Sequence, residues 1–144
     1  MDDGFLWEST GLHGKSTIRK VELETGKVLK EVKLDKEYFA EGLALLNDKF
    51  YQQTWKAGKA FVYDRDLNRI GEIPYQGEGW GLATDGTHLI VSDGSTQIRF
   101  VDPETFETVR TISVFRRSTG RVYELNELEY YEGKIYANRW KSES

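Results

Sequence analysis

Apolar residues along this chain fall in short runs that alternate with polar ones and stop at turn-forming residues. Thr17-Ile-Arg-Lys-Val-Glu-Leu23 alternates and ends at Glu24-Thr-Gly26, and Lys27-Val-Leu-Lys-Glu-Val-Lys-Leu34 alternates again. A period of two between Gly, Asn and Asp breaks predicts strands, not helices. The stretch from Ala40 to Leu46 and that from Lys49 to Trp55 read as two strands about an Asn47-Asp48 turn. Phe5 to Thr10 is an earlier strand. Later strands are expected over 60–63, 69–75, 80–84, 88–92, 97–101, 108–114, 125–131 and 134–140. Pro74 suits an outer strand, because it cannot donate to a ladder. No stretch reads as a helix of any length.

The pattern repeats. Laying Glu41 on Asn126 brings Leu43 onto Leu128, Lys49 onto Lys134, Tyr51 onto Tyr136 and Trp55 onto Trp140; laying Glu41 on Trp80 brings Gly42 onto Gly81 and Leu43 onto Leu82. Glu41, Trp80 and Asn126 are therefore one structural position met three times. Equivalent second strands start at Phe5, Phe50, Leu89 and Ile135, at separations of 45, 39 and 46 residues. Four antiparallel strands per repeat of about 40–50 residues is the signature of a β-propeller blade. The blade segments expected are about 4–35, 38–76, 79–115 and 124–144, three blades plus a partial fourth in one domain over 1–144. The 13 strands expected fall short of the roughly 16 of a four-bladed ring. An open ring exposes apolar end faces, so self-association or instability of the isolated chain is expected.

Composition narrows the partners. A net charge of −4 with both signs interspersed lacks the basic face that nucleic acid requires. The absence of cysteine excludes disulfides and thiolate metal sites. No apolar run approaches the roughly 20 residues of a membrane-spanning helix, and Met1-Asp-Asp-Gly-Phe-Leu6 does not resemble a signal peptide. No cofactor or metal is expected: His13 and His88 lack a second ligand at useful spacing. Gly77-Glu-Gly-Trp-Gly81 is not a phosphate loop, since the following helix and Lys-Ser/Thr are missing.

First strands of propeller blades line the central channel, and equivalent positions on them form a ring. Glu41, Trp80 and Asn126 open such strands, while Trp55 and Trp140 close the adjacent ones, which return to the same level. One carboxylate, one carboxamide and three indoles are thus expected at one mouth, an apolar-walled pocket with a few placed polar groups. Trp7 falls at a different repeat position and is assigned to the core. Glu127 and Glu129 alternate about Leu128, and the pattern leaves open whether they face the channel or solvent. Arg116-Arg117 reads as a solvated loop pair.

The segments Phe5-Leu-Trp-Glu-Ser-Thr-Gly11, Phe39-Ala-Glu-Gly-Leu43, Gln53-Thr-Trp55, Gly77-Glu-Gly-Trp-Gly-Leu82, Ser92-Asp-Gly-Ser95, Phe100-Val-Asp-Pro-Glu-Thr-Phe106, Leu125-Asn-Glu-Leu-Glu-Tyr130 and Ile135-Tyr-Ala-Asn-Arg-Trp140 together resemble the plant and bacterial glutaminyl-peptide cyclotransferases over nearly the whole chain. The resemblance implies a five-bladed propeller that converts N-terminal glutamine to pyroglutamate with loss of ammonia, in a family whose members are commonly exported. It implies a catalytic acid at Glu41, an aromatic partner at Phe39, pocket tryptophans at Trp55, Trp80 and Trp140, and an amide at Asn126. It also implies a channel strand before Phe5 and, after Ser144, a further part of the ring carrying a site lysine.

The residues suit that chemistry on their own terms. Cyclisation needs a neutral α-amine, an electrophilic γ-carboxamide and a protonated leaving nitrogen. A carboxylate walled by indoles has its pKa raised by desolvation, which fits Glu41 to carry the proton between the two nitrogens. Asn126 is placed to donate to the developing oxyanion. A different class of function, a propeller fragment that binds a peptide end or a sugar at an aromatic mouth without turnover, uses the same residues.

Overall fold

The computed structural model describes residues 4–141 of the chain; residues 142–144, which end the expected fourth segment, and Met1 to Asp3 of the stretch compared with a signal peptide lie outside the described residues. Among them the chain is all-β. The first sheet is antiparallel, with β1 (Phe5–Thr10), β2 (Thr17–Glu22) and β3 (Val28–Lys33) in that order. The second is β4 (Ala40–Leu46), β5 (Lys49–Thr54), β6 (Lys59–Tyr63) and β7 (Arg69–Pro74), and the third is β8 (Leu82–Thr84), β9 (Leu89–Ser92), β10 (Gln97–Val101) and β11 (Thr108–Ser113). A small ribbon follows, β12 (Phe115–Arg116) with β13 (Gly120–Arg121), and then the pair β14 (Leu125–Tyr131) and β15 (Lys134–Arg139). Each sheet is a meander, so neighbours in sequence are neighbours in space. Pro74 ends the outer strand β7, where no further strand needs its missing N–H.

Local sequence explains the hairpins. Asn47 and Asp48 take φ of 51° and 59°, and Glu132 and Gly133 take 48° and 77°. Two successive left-handed residues give the turn whose twist matches that of the strands it joins.

The sheets stack face to face through three apolar layers. Ile18, Leu34, Phe50, Phe61 and Tyr63 fill the first, with Trp7, Leu43 and Leu45 against them. Ala44, Leu46, Tyr51, Val62, Leu82, Leu89 and Val91 fill the second. Ile90, Ile98, Phe100, Leu125 and Leu128 fill the third, with Ile135 beside them. Side chains alternate across a strand, so Leu43 and Leu45 of β4 face the first sheet while Ala44 and Leu46 face the third. A sheet covered on both faces needs apolar residues at both parities, hence the unbroken Leu43-Ala-Leu-Leu46 and Leu89-Ile-Val91. The outer strands β3, β7 and β11 are mostly exposed.

Two departures from the sequence reading have clear causes. The strand expected from Trp80 begins only at Leu82, because Trp80 and Gly81 leave the ladder to bond around Ser92. The stretch containing Arg116 is exposed, as expected, but is a two-residue ribbon partner of Gly120 instead of an irregular loop.

Polar groups also join the sheets. Gln52 is fully buried; its amide donates to Ser9 Oγ at 2.9 Å and to the Thr17 carbonyl at 3.1 Å, and its Oε1 accepts from Tyr63 Oη at 3.2 Å. Both amide ends are satisfied, which makes the buried carboxamide a specific link between first and second sheets.

Candidate active site

The mouth of the channel is built from a repeated irregularity. In the second sheet Ala40 pairs with Thr54 and Leu43 with Gln52, so Glu41 and Gly42 stand opposite Gln53 alone. In the last pair Leu125 pairs with Arg139 and Leu128 with Ala137, so Asn126 and Glu127 stand opposite Asn138 alone. In the third sheet Trp80 N donates to the Ser92 carbonyl and Ser92 N to the Gly81 carbonyl, both at 3.1 Å, so Trp80 and Gly81 share Ser92. These are β-bulges, which turn a side chain out of the alternating register. Each re-aims one of the three equivalent residues, Glu41, Trp80 and Asn126.

The N–H groups freed by the bulges are satisfied locally or by the next sheet. Gly81 N donates to Ser92 Oγ at 2.8 Å, and Glu127 N to Asn138 Oδ1 at 2.9 Å. Gly42 N donates to the Trp80 carbonyl at 2.9 Å, and Ser92 Oγ to the Asn126 carbonyl at 2.7 Å. The bulges are thus bonded one to the next around the channel, which fixes the spacing of the carboxylate, indole and carboxamide. Glycine follows Glu41 and Trp80 because nothing else fits: a Cβ would stand 2.4 Å from Leu82 N at position 42 and 2.1 Å from the Asn126 carbonyl at position 81.

One cavity of about 490 Å³ lies over these bulges, lined by Ser9, Gly11, Phe39, Ala40, Glu41, Trp55, Trp80, Asn126, Glu127 and Trp140. All six residues singled out in the sequence line it. The aromatic wall consists of two edge-to-face pairs, Phe39 with Trp55 at 5.7 Å and Trp80 with Trp140 at 5.9 Å between ring centroids. Gly94, at φ +78°, lies against the Trp80 ring, and a Cβ there would reach 2.6 Å from it. Trp7, as expected, is elsewhere: it packs on Phe50 at 4.4 Å. A second groove of about 660 Å³ runs between the third sheet and the β14–β15 pair, under side chains such as Ile98, Phe100, Ile112 and Ile135. It gathers no carboxylate, amide and indole together, and is a packing groove.

Electrostatics single out Glu41. Burial among aromatic rings, and secondly the charge of Glu127, raise its carboxyl from the ordinary 4.5 to about 7. Glu127, exposed at the residue level, is itself pushed up, by burial of its carboxyl and then by Glu129. The structure thus places Glu127 on the cavity wall, where the sequence left channel and solvent open.

Two features escaped the sequence reading. Glu127 bears on Glu41 only through space. Glu78 lies behind the wall and accepts hydrogen bonds from both Trp55 Nε1 and Trp80 Nε1 at 2.9 Å. The signal for it was the Gly-Glu-Gly-Trp-Gly run, whose glycines mark close approaches of backbone. Among the described residues no group of three or more His, Cys, Asp or Glu is arranged to hold a metal ion.

The family model for glutamine cyclotransferase matches residues 1–144. A glutaminyl-peptide cyclotransferase of Arabidopsis thaliana is 44% identical over 140 residues, 96% of this chain and 43% of that protein. The crystal structure of a Myxococcus xanthus glutaminyl cyclase is similar with a TM-score of 0.85 and 35% identity, over 97% of this chain and 59% of that one. The WD40 domain of Neurospora crassa Pan2, at 14% identity and a TM-score of 0.62 over 86% of this chain and 37% of that one, shares the fold alone. The chain spans less than half the length of the Arabidopsis relative.

Proposed function

The chain belongs to the glutamine cyclotransferase family, and we propose that its cavity is the reaction centre of a glutaminyl-peptide cyclotransferase built on a β-propeller. The substrate is a peptide or protein with glutamine at its N-terminus. Its neutral α-amine attacks the γ-carboxamide carbon, and a new C–N bond closes a five-membered ring. The tetrahedral intermediate then breaks its bond to the amide nitrogen, leaving pyroglutamate and ammonia.

Glu41 takes the proton that the attacking amine must lose and returns it to the departing nitrogen. The supporting observation is that a carboxyl with pKa raised to about 7 lines one aromatic cavity with a carboxamide. Such a group is poised to accept and release a proton near neutrality, where an α-amine of pKa about 7.7–8.0 is partly deprotonated. Asn126 donates its amide hydrogens to the oxygen that becomes negative. Phe39, Trp55, Trp80 and Trp140 hold the planar amide, exclude water and offer ring faces to the incoming ammonium.

The test is ammonia release from a glutamine-initiated peptide by the full chain and by Glu41→Gln. The substitution keeps shape and hydrogen-bonding capacity but removes the charge, so turnover falls by about 10² or more while peptide affinity changes much less. Saturable peptide binding without any turnover by the unsubstituted protein would instead make the mouth a recognition site.

A further inference from the structure

The run Gly77-Glu-Gly-Trp-Gly81 contributes only Trp80 to the chemistry above, yet its backbone is fixed along its length. Gly77 takes φ +95°. Gly79 N donates to the Trp55 carbonyl at 3.0 Å, and a Cβ at position 79 would stand 2.4 Å from Tyr75 Oη and 2.8 Å from the Thr54 carbonyl. Tyr75 Oη in turn donates to that carbonyl at 2.7 Å. The glycines let the loop lie directly on the end of β5, and this brings Glu78 between two indoles from different sheets.

A single oxygen, Oε2, accepts both Trp55 Nε1 and Trp80 Nε1 at 2.9 Å. The other, Oε1, lies 3.7 Å from Lys56 Nζ, which itself stands 4.2 Å from the Trp55 ring centroid. Lys56 thus offsets the carboxylate charge. Glu78 does not line the cavity. Trp55 is edge-to-face with Phe39, and Trp80 with Trp140. The carboxylate therefore ties one aromatic pair to the other.

We propose that Glu78 is a positioning residue: by holding both indole N–H groups on one oxygen, it joins the Phe39–Trp55 pair to the Trp80–Trp140 pair and sets the width of the slot that receives the substrate amide. This rests on reading the cavity as a site for N-terminal glutamine. A charge-assisted hydrogen bond is stronger and shorter than a neutral one, so it defines ring orientation better than water would. Rings fixed before binding need not be ordered by the substrate. A slot loosened by a fraction of an ångström holds the reacting atoms less often in attacking geometry.

The experiment compares Glu78→Ala with Glu78→Gln in the full chain, using two readouts. The first is the set of indole N–H resonances in a proton–nitrogen correlation spectrum. Alanine is expected to move the Trp55 and Trp80 resonances and speed their hydrogen exchange, leaving Trp7, whose buried N–H has no acceptor among the described residues, unmoved. The second is steady-state kinetics on a glutamine-initiated peptide. Alanine is expected to lower kcat/KM by about 10- to 100-fold, with KM raised and kcat lowered together, and with the acid limb of the pH profile unchanged because Glu41 is untouched. Glutamine, whose amide oxygen can accept both bonds, is expected to stay within about threefold of the unsubstituted protein in this measure. Unmoved indole resonances in alanine, unchanged KM and kcat despite moved resonances, or glutamine as damaging as alanine would each overturn the proposal. Absence of turnover in the unsubstituted protein would refute the cyclotransferase reading and with it the substrate role given to the slot, while the resonances still report whether the carboxylate holds the rings.

Discussion

Removing the carboxylate proposed to carry the proton should make this protein more stable, and only above a certain pH. Glu41 has its carboxyl raised from 4.5 to about 7 in the folded state, first by burial and then by Glu127. The folded chain therefore holds a proton there that the unfolded chain has released, and between those two values stability falls as pH rises. Below about 4.5 both states are protonated and the group costs nothing; above about 7 both are ionised and the cost is complete. The full separation corresponds to a ceiling of about 3 kcal/mol. The carboxyl is only half-buried at an open mouth, and solvent screening reduces this to about 1–2 kcal/mol. Glu41→Gln removes that cost. The expected outcome is a gain of about 1–2 kcal/mol near pH 8, or about 3–6 °C in Tm for a chain of this size, and no gain near pH 4. Urea denaturation of both proteins at the two pH values measures it. Equal gains at both pH values would attribute the effect to packing, and a loss near pH 8 would mean that the ionised carboxylate is stabilised; either result refutes the reasoning.

Glu127→Gln removes the charge that faces Glu41, so the acid limb of kcat/KM is expected to move to lower pH, by less than the whole displacement because burial is the larger cause. Asn126→Ala is expected to lower kcat by roughly 10- to 1000-fold if its amide holds the oxyanion, while Trp7→Phe, changed in the core behind Phe50, leaves kcat nearly unaltered in the same assay. Gly42→Ala places a methyl group against the backbone of the next sheet and is expected to cost about 1–3 kcal/mol by urea denaturation, with a value near zero contradicting the close contact of the bulges. The chain exposes Tyr136 on β15 and Trp140 just after it, and sedimentation at rising concentration is expected to show self-association; a dispersed monomer at high concentration would refute that.

The strands were legible in the sequence because their code is local. Alternation, the Asn47-Asp48 turn and the apolar runs of strands covered on both faces each depend on neighbours in the chain. The ring of Glu41, Trp80 and Asn126, with Trp55 and Trp140 behind it, was legible for a related reason: a repeated unit puts equivalent positions at one level, so aligning the repeats superposes the site. What alignment could not reveal was how those residues leave the ladder. The bulges opposite Gln53, Ser92 and Asn138 depend on bonds between sheets, such as Gly42 N to the Trp80 carbonyl and Ser92 Oγ to the Asn126 carbonyl. The same holds for the charge of Glu127 at Glu41 and for the carboxylate of Glu78 shared by two indoles 25 residues apart in sequence. Hydrophobic periodicity records which face of a strand is buried, whereas a pKa or a hydrogen bond depends on distances of a few ångströms between segments remote in the chain. Those distances exist only once the sheets have packed.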